Sequence, residues 1–171
     1  KGINPVVEVQ KRYARRHGVP WGISESACSA EGGADYGYAP FGISALAMRH
    51  SEAERIVISP YSSFLALPVD PAAAVTNLRR MEALGWTGRY GFYESVDYGA
   101  GEPEVIRCWM AHHHGMSLLA ACNILAGEPF RKYFHAEPEV MATELLLHER
   151  VPRTVVAEPE RSPAPVSQAV P

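Results

Sequence analysis

Prolines stand in this chain where helices can begin, and that placement constrains the fold more than any other feature of the sequence. A proline ring fixes φ and removes an N–H, so it fits the first turn of a helix and breaks one further in. Ser59-Pro60 pairs an N-cap residue with a first-turn proline, and Pro68 stops the helix that follows at Leu67. Asp70-Pro71 repeats the device ahead of "PAAAVTNLRRMEAL", which Gly85 closes, and Glu137-Pro138 opens "EVMATELLLHERV". Pro5 starts a helix to His17, with Val6, Val9 and Tyr13 on one face and Gly18 at its end. Residues 105–126, apolar almost all round, predict the longest and a buried helix, and Phe130 to Phe134 a short turn of one.

Two long stretches break this rhythm. Val19 to Arg49 is glycine-rich and irregular, and loops of that length in a compact protein usually carry function. Its aromatics, Trp21, Tyr36, Tyr38 and Phe41, argue against a disordered segment. "GRYGFYESVDYGAGEP" nearly alternates and predicts a short hairpin. The expected fold class is all-α: paired helices whose loops gather at one end, as in a toroid. Residues 1–152 form the expected domain, and the proline-rich 153–171, without apolar periodicity, the expected disordered linker.

The charge balance excludes some partners. A net charge of −3 offers no footprint for nucleic acid, and Lys11, Arg12, Arg15 and Arg16 at helical spacing read as a solvated face. Cys28, Cys108 and Cys122 are odd in number and lack C-x-x-C spacing, so neither a disulfide framework nor a zinc knuckle is expected. With Cys108 and Cys122 on one helix, about 21 Å would separate them, and a reducing compartment fits best. No apolar run approaches the roughly 18 residues of a membrane span. The chain opens on Lys1 and reads as part of a longer polypeptide.

Glu25 and Glu94 stand out because each is a lone acid in an aromatic setting, Trp21 preceding the first, Phe92 and Tyr93 flanking the second. Cleavage of a glycosidic bond needs two carboxyl groups, one neutral to protonate the leaving oxygen, the other charged to attack or to activate water. Apolar surroundings separate the two roles by raising one pKa. Tyr36 and Tyr38 are candidate stacking residues, and Asp97 either meets sugar hydroxyls or holds Tyr98. The alternative for each is ordinary packing. Consecutive helical positions diverge by about 100°, so His112, His113 and His114 cannot converge on one metal. One of them is expected to be a buried, hydrogen-bonded histidine, and no metal or cofactor is expected. Neither Ser26 nor Ser117 sits in a G-x-S-x-G elbow, which argues against a serine hydrolase.

Six blocks occur in order: "WGISESA", "YGYAPFGISALA", "VISPYSSFLAL" running into "VDPAAAVTNLRRM", "GRYGFYESVDY", "MAHHHGMSLLA" and "FRKYFHAEPEVMATELLLHERVP". Together they resemble the glycoamylase-like domain of cyclic β-1,2-glucan synthases, over most of Val19 to Pro152. The resemblance implies an (α/α)6 toroid and a retaining transglycosylation that closes linear β-1,2-glucan into rings. It implies Glu25 and Glu94 as the catalytic pair, Glu25 as acid/base and Glu94 as nucleophile, with the reverse open. It places His112 and His113 along the sugar cleft, and Trp21, Tyr36, Tyr38, Tyr93 and Asp97 are the further expected sugar contacts; at His114 the family more often has glutamine. The implied partners are β-1,2-glucan and the glycosyltransferase and phosphorylase-like modules of a larger inner-membrane synthase, with this domain on the cytoplasmic side. Ring closure preserves the β-linkage, and carboxyl groups of a retaining pair are expected about 5 to 5.5 Å apart.

Twelve toroid helices need several hundred residues, and this chain predicts about half that number. A half-toroid exposes apolar faces, so self-association and weak or absent activity of the isolated chain are expected. An endo-β-1,2-glucanase, or a non-catalytic sugar-binding fragment, are the alternative readings.

Overall fold

The computed structural model describes residues 5–30, 36–47, 55–99 and 101–147. Six helices are described: α1 (Pro5–His17), α2 (Pro60–Leu65), α3 (Pro71–Ala83), α4 (Ala111–Leu125), α5 (Pro129–His135) and α6 (Pro138–Leu147). All but α4 begin on a proline, so the punctuation by proline is the main local signal for helix starts. Gly18 and Gly85, just past α1 and α3, take left-handed φ values of 70° and 81°, as residues closing a helix do. Asp70 caps α3 by accepting the Ala73 N–H at 3.1 Å and pairs with Lys11 of α1. Ser59 stands at the N-cap of α2 but does not cap it; its hydroxyl is used elsewhere, as described below.

The expectation of an all-α chain needs amending, because the glycine-rich stretches fold into short antiparallel strands. These are β1 (Ser26–Cys28) with β2 (Gly37–Ala39), the sheet β3 (Val57–Ile58), β6 (Ser95–Asp97), β7 (Glu104–Ile106), and the hairpin β4 (Thr87–Gly88) with β5 (Gly91–Phe92). In the three-stranded sheet β6 is central, with Val96 opposite Ile58 on one side and Val105 on the other. Val105 and Ile106 therefore belong to a strand and not to the helix expected over 105–126, which begins only at Ala111. Branched side chains fit the pleated, half-buried edge beside β6 better than a helix turn. Cys108 falls outside α4, so the separation expected along one helix does not apply; all three cysteines carry free thiols.

Two compact units divide the chain, with the boundary inside α5 between Tyr133 and Phe134. In the first, Ile23, Ile43, Ile58, Met81, Trp86 and Val96 form one apolar core, and Val7, Ala66, Leu67 and Ala74 a second. Burying side chains such as Met81 and Ile58 contributes about 2 kcal/mol each. α4 packs against α2. Contrary to the buried helix expected, α4 leaves Leu118 71% and Leu125 85% exposed, since only one face has a partner among the described residues. In the second unit, α6 carries Glu144, which meets His135. Residues 153–171, the expected linker, lie outside the described residues. Among the described residues no helix is long and apolar enough to cross a membrane.

The loop that begins the site is pinned by one buried amide. Asn77 of α3 accepts the Trp21 N–H at 3.2 Å and donates to the Trp21 carbonyl at 2.7 Å and the Ser63 hydroxyl at 2.9 Å. Asn77→Ala leaves these groups without their partner, and a loss of about 2 kcal/mol is expected in urea unfolding. A change below about 0.5 kcal/mol, the size of an ordinary surface substitution, would show that the contacts of Gln10 with Ile23 and of Arg80 with Val19 hold the loop without it.

Candidate active site

Gly22 brings the first loop onto the start of α2. Its φ of 130° is closed to most side chains, and a Cβ there would lie 2.3 Å from the Ser62 hydroxyl. Its carbonyl accepts the Ser59 N–H at 3.0 Å, and Ile23 bridges to Ile58. The chain then runs through Glu25 into β1, so the first acid is delivered beside the N-terminus of α2 and next to β6.

Glu94, between β5 and β6, is tied through its N–H, its carbonyl and one carboxyl oxygen. Its N–H donates to the Cys108 carbonyl at 3.0 Å, and its carbonyl accepts the Ser59 hydroxyl at 2.5 Å. Its Oε1 takes the Ala27 N–H of β1 at 3.4 Å and lies 2.6 Å from His113 Nδ1 of α4. The residue is 4% exposed. Burial raises its pKa, against the Ala27 N–H and the charges of His112 and His114, which act in the opposite direction. It forms the polar end of a cavity of about 380 Å³ walled by Tyr61, Phe64, Phe92, Tyr93 and His114. An acid in such a wall is chemically suited to exchanging a proton with a polar ligand, while the ring faces provide apolar contact.

The three histidines turn to different partners. His113 is 4% exposed, and its ring stacks on Tyr61 with centroids 3.8 Å apart and planes 11° apart. Burial, the main cause, and the neighbouring imidazoles push its pKa down to about 4, so it is neutral at neutral pH. His114 Nε2 lies 3.3 Å from the Phe92 carbonyl, and His112 Nε2 lies 3.2 Å from the Tyr38 hydroxyl. His113 is thus the buried, bonded histidine expected of the run. Among the described residues no cluster of three acid, histidine or cysteine side chains is arranged to hold a metal.

Tyr38, on β2, feels both acids, the second only through space. Its hydroxyl bonds to the Glu25 carboxylate, and its pKa is pushed up to about 12, first by burial and then by Glu25 and the charge of Glu94. The Tyr61 hydroxyl donates to the Glu25 carbonyl at 3.1 Å, and its pKa too is raised, by burial and then by both acids. Glu25 itself is exposed. One acid is therefore buried and the other open, around a shared pair of phenols.

Among the residues expected to contact sugar, Tyr38, Tyr93, His112 and His113 gather here, Tyr93 with its ring 5.1 Å from that of Trp109. Three do not. Trp21 packs against the apolar cores and lines a separate depression between α1 and α3. Tyr36 lies beside residues 104–108. Asp97 is buried and already committed: Arg55 donates to both of its oxygens, at 3.2 and 2.5 Å, and the Ser29 and Gly99 N–H groups at 3.0 and 2.8 Å. Burial alone would raise its pKa, but these donors hold it below the ordinary carboxylate value. Asp97 and Trp21 thus stand apart from the cavity that Glu94 lines, each held by contacts of its own.

Sequence reasoning missed Ser59, Phe64 and the wall made by Tyr61 and Phe92. Ser59-Pro60-Tyr61 signals a helix start, and nothing in that signal says that the serine serves another loop. The phenol two residues past Ser59 was the available clue.

With this geometry in view, comparisons with known proteins become informative. Residues 6–137 match the glycoamylase family model, described as "Putative glucoamylase". Cyclic beta-(1,2)-glucan synthase NdvB of Rhizobium meliloti (strain 1021) is 41% identical over 159 residues, covering 89% of this chain and 6% of that protein. Among solved structures, the endo-beta-1,2-glucanase from Chitinophaga pinensis, in complex with sophorotriose and glucose, superposes with a TM-score of 0.61 at 21% identity. That likeness covers 80% of this chain and 32% of the glucanase. A Bacteroides fragilis NCTC 9343 protein, described in the same words as the family model, superposes at 0.60 and 22% identity over 78% of this chain and 31% of its own. The chain thus spans a small part of its curated relative and about a third of each solved structure.

The Asp97–Arg55 pair carries a pH prediction. With its folded pKa below the unfolded one, Asp97 contributes stability that is fully present above about pH 4 and is lost as pH falls through the folded value. Asp97→Asn is expected to cost about 2 kcal/mol at neutral pH, the exposed side of Arg55 tempering the effect. Urea unfolding at several pH values should show the gap from wild type closing as the pH falls below about 4; a gap independent of pH contradicts this.

Proposed function

The chain belongs to the glycoamylase family, and on that footing we propose that it supplies the catalytic cleft of an enzyme acting on β-1,2-glucan, as part of a larger cyclic glucan synthase. The observation that carries this reading is the buried Glu94 lining an aromatic cavity, with the open Glu25 bonded to Tyr38, whose hydroxyl also lies 3.5 Å from the His113 ring that holds Glu94. Glucose rings present apolar C–H faces and outward hydroxyls, which suit the phenyl and phenol walls and the imidazoles beside them.

The roles follow from the environments. Burial favours the neutral form of Glu94, so it serves as the proton donor; Glu25 is the nucleophile. This reverses the order that the sequence favoured. Glu25 attacks the anomeric carbon as the glycosidic C–O bond breaks and Glu94 gives its proton to the leaving oxygen. In the second half, a sugar hydroxyl gives its proton to Glu94 and attacks the same carbon, releasing Glu25. Two inversions preserve the β-configuration. When the acceptor is the far end of the same glucan, the product is a ring; when it is water, the product is a shorter linear chain.

At the level of architecture, we read residues 1–152 as part of an (α/α) toroid and 153–171 as a linker to a following module. The fold likeness supports it, and so does the outward face of α4, where Leu118, Leu119 and Leu125 would meet further toroid helices. The partners would be β-1,2-glucan and the remainder of the synthase, with the domain on the cytoplasmic side of an inner membrane. No cofactor is needed for either half-reaction.

Two measurements test the reading. Incubating the chain, alone and within its longer polypeptide, with linear β-1,2-glucan should give products lighter by one water than linear chains of the same length. Glu94→Gln and Glu25→Gln should each lower turnover by about a hundredfold or more while glucan is still bound. Turnover untouched in both variants excludes these roles, and shortened linear products alone would make the enzyme a glucanase. Separately, the isolated chain should associate with rising concentration in sedimentation experiments through the exposed leucines of α4, and a persistent monomer would oppose the part-toroid reading.

A further inference from the structure

The two carboxylate oxygens of Glu94 are not equivalent. Oε1 faces the Ala27 N–H at 3.4 Å and His113 Nδ1 at 2.6 Å. A backbone N–H only donates, so Oε1 is an acceptor, and the proton of a neutral carboxyl group belongs on Oε2. For His113 to complement an acceptor at Oε1, its neutral ring must carry the proton on Nδ1. Nε2 is then a bare acceptor, 3.5 Å from the Tyr38 hydroxyl.

The imidazole is also immobilised. Tyr61 covers one face, the ring of Tyr38 lies near it at 23° with centroids 6.3 Å apart, and Nδ1 is held by Glu94 at 2.6 Å. So little of the residue is exposed that it offers scant surface to a sugar.

From this geometry we propose that His113 is a positioning residue for Glu94, donating from Nδ1 to Oε1 so that Oε2 alone passes its proton to the glycosidic oxygen. It is then not a sugar contact, as the sequence alone led us to expect. The proposal rests on the glycosidase reading above for its catalytic consequence, but the hold of His113 on Glu94 exists without substrate. The titratable groups around the pair are Tyr38 of β2, Tyr61 of α2, His112 and His114 of α4, Glu25 before β1 and Cys108 after β7. Among them, Glu25 is the one other carboxyl group. A donor to Oε1 favours the charged form of Glu94, so its loss must move the titration of Glu94 to higher pH.

Two substitutions separate the donor from the bulk of the ring. In His113→Asn the amide nitrogen stands close to where Nδ1 stood and keeps a donor; in His113→Leu none remains. The full chain, labelled with carbon-13 at glutamate carboxyl groups, is titrated by NMR as wild type and both variants. The Glu94 midpoint is expected to stay near the wild-type value in His113→Asn and to rise in His113→Leu. On β-1,2-glucan, His113→Leu should lose about a hundredfold in kcat with KM nearly unchanged, and its alkaline limb should move upward.

An unmoved Glu94 midpoint in His113→Leu, or a raised KM in both variants with unchanged pH profiles, overturns the proposal in favour of a sugar contact. Should His113→Leu fail to fold, nitrogen-15 labelling of wild-type histidine still decides: a proton on Nδ1 supports the proposal, and one on Nε2 overturns it. If the NMR results come out as expected while no form turns over β-1,2-glucan, the substrate reading has failed and the positioning of Glu94 has not.

Discussion

Glu94 is where the parts of the first unit are tied together. Four contacts radiate from this one residue: to the Cys108 carbonyl beyond β7, to the Ser59 hydroxyl ahead of α2, to the Ala27 N–H of β1, and to the His113 ring of α4. A buried carboxyl group without partners would cost several kcal/mol. With them, it fixes the mutual placement of elements that are far apart in the chain. The spacing of the cleft walls is thus set by how the polar groups of a single residue are satisfied, while the apolar core around Ile58 and Met81 supplies the driving force.

The same contacts that hold the fold set the chemistry. Burial that lets Ser59, Ala27 and His113 reach Glu94 also raises its pKa toward the range of a proton donor. Tyr61 stacks on His113 and donates to the Glu25 carbonyl, so one aromatic side chain both rigidifies the buried half of the site and shapes its open half. Arg55 and Asp97 form a second, separate anchor behind it, clamping Ser29 at the end of β1 through the Ser29 carbonyl and N–H. Glu25, at the other end of β1, thereby gains a firm mount although its side chain is exposed.

Much of this was legible from residue types. Pro60, Pro71 and Pro138 marked helix starts because proline has few other places to go, and Asp70 capped as a short acid before a proline should. Glu25 and Glu94 were visible as acids in aromatic company, and the divergence of three adjacent histidines followed from helix geometry. What escaped notice depends on pairing across the chain. Val105 and Ile106 looked helical until Val96 offered them an edge. Ser59 looked like a cap until Glu94 offered a carbonyl. Asp97 looked like a free acid beside Tyr98 until Arg55 took up both of its oxygens, and Asn77 holds the main chain of Trp21. In each case the local signal was real, and a partner on another element of the fold decided its use.

The account's central claim is that Glu94 and Glu25 address one glycosidic bond from two sides. A crystal structure of the Glu94→Gln protein with a linear β-1,2-glucan bound tests it most directly. The account predicts a glycosidic oxygen within hydrogen-bonding reach of residue 94, with the Glu25 carboxylate facing the adjoining anomeric carbon. Sugar bound with neither carboxyl position near a glycosidic linkage, or with both on the same side of it, would contradict the claim.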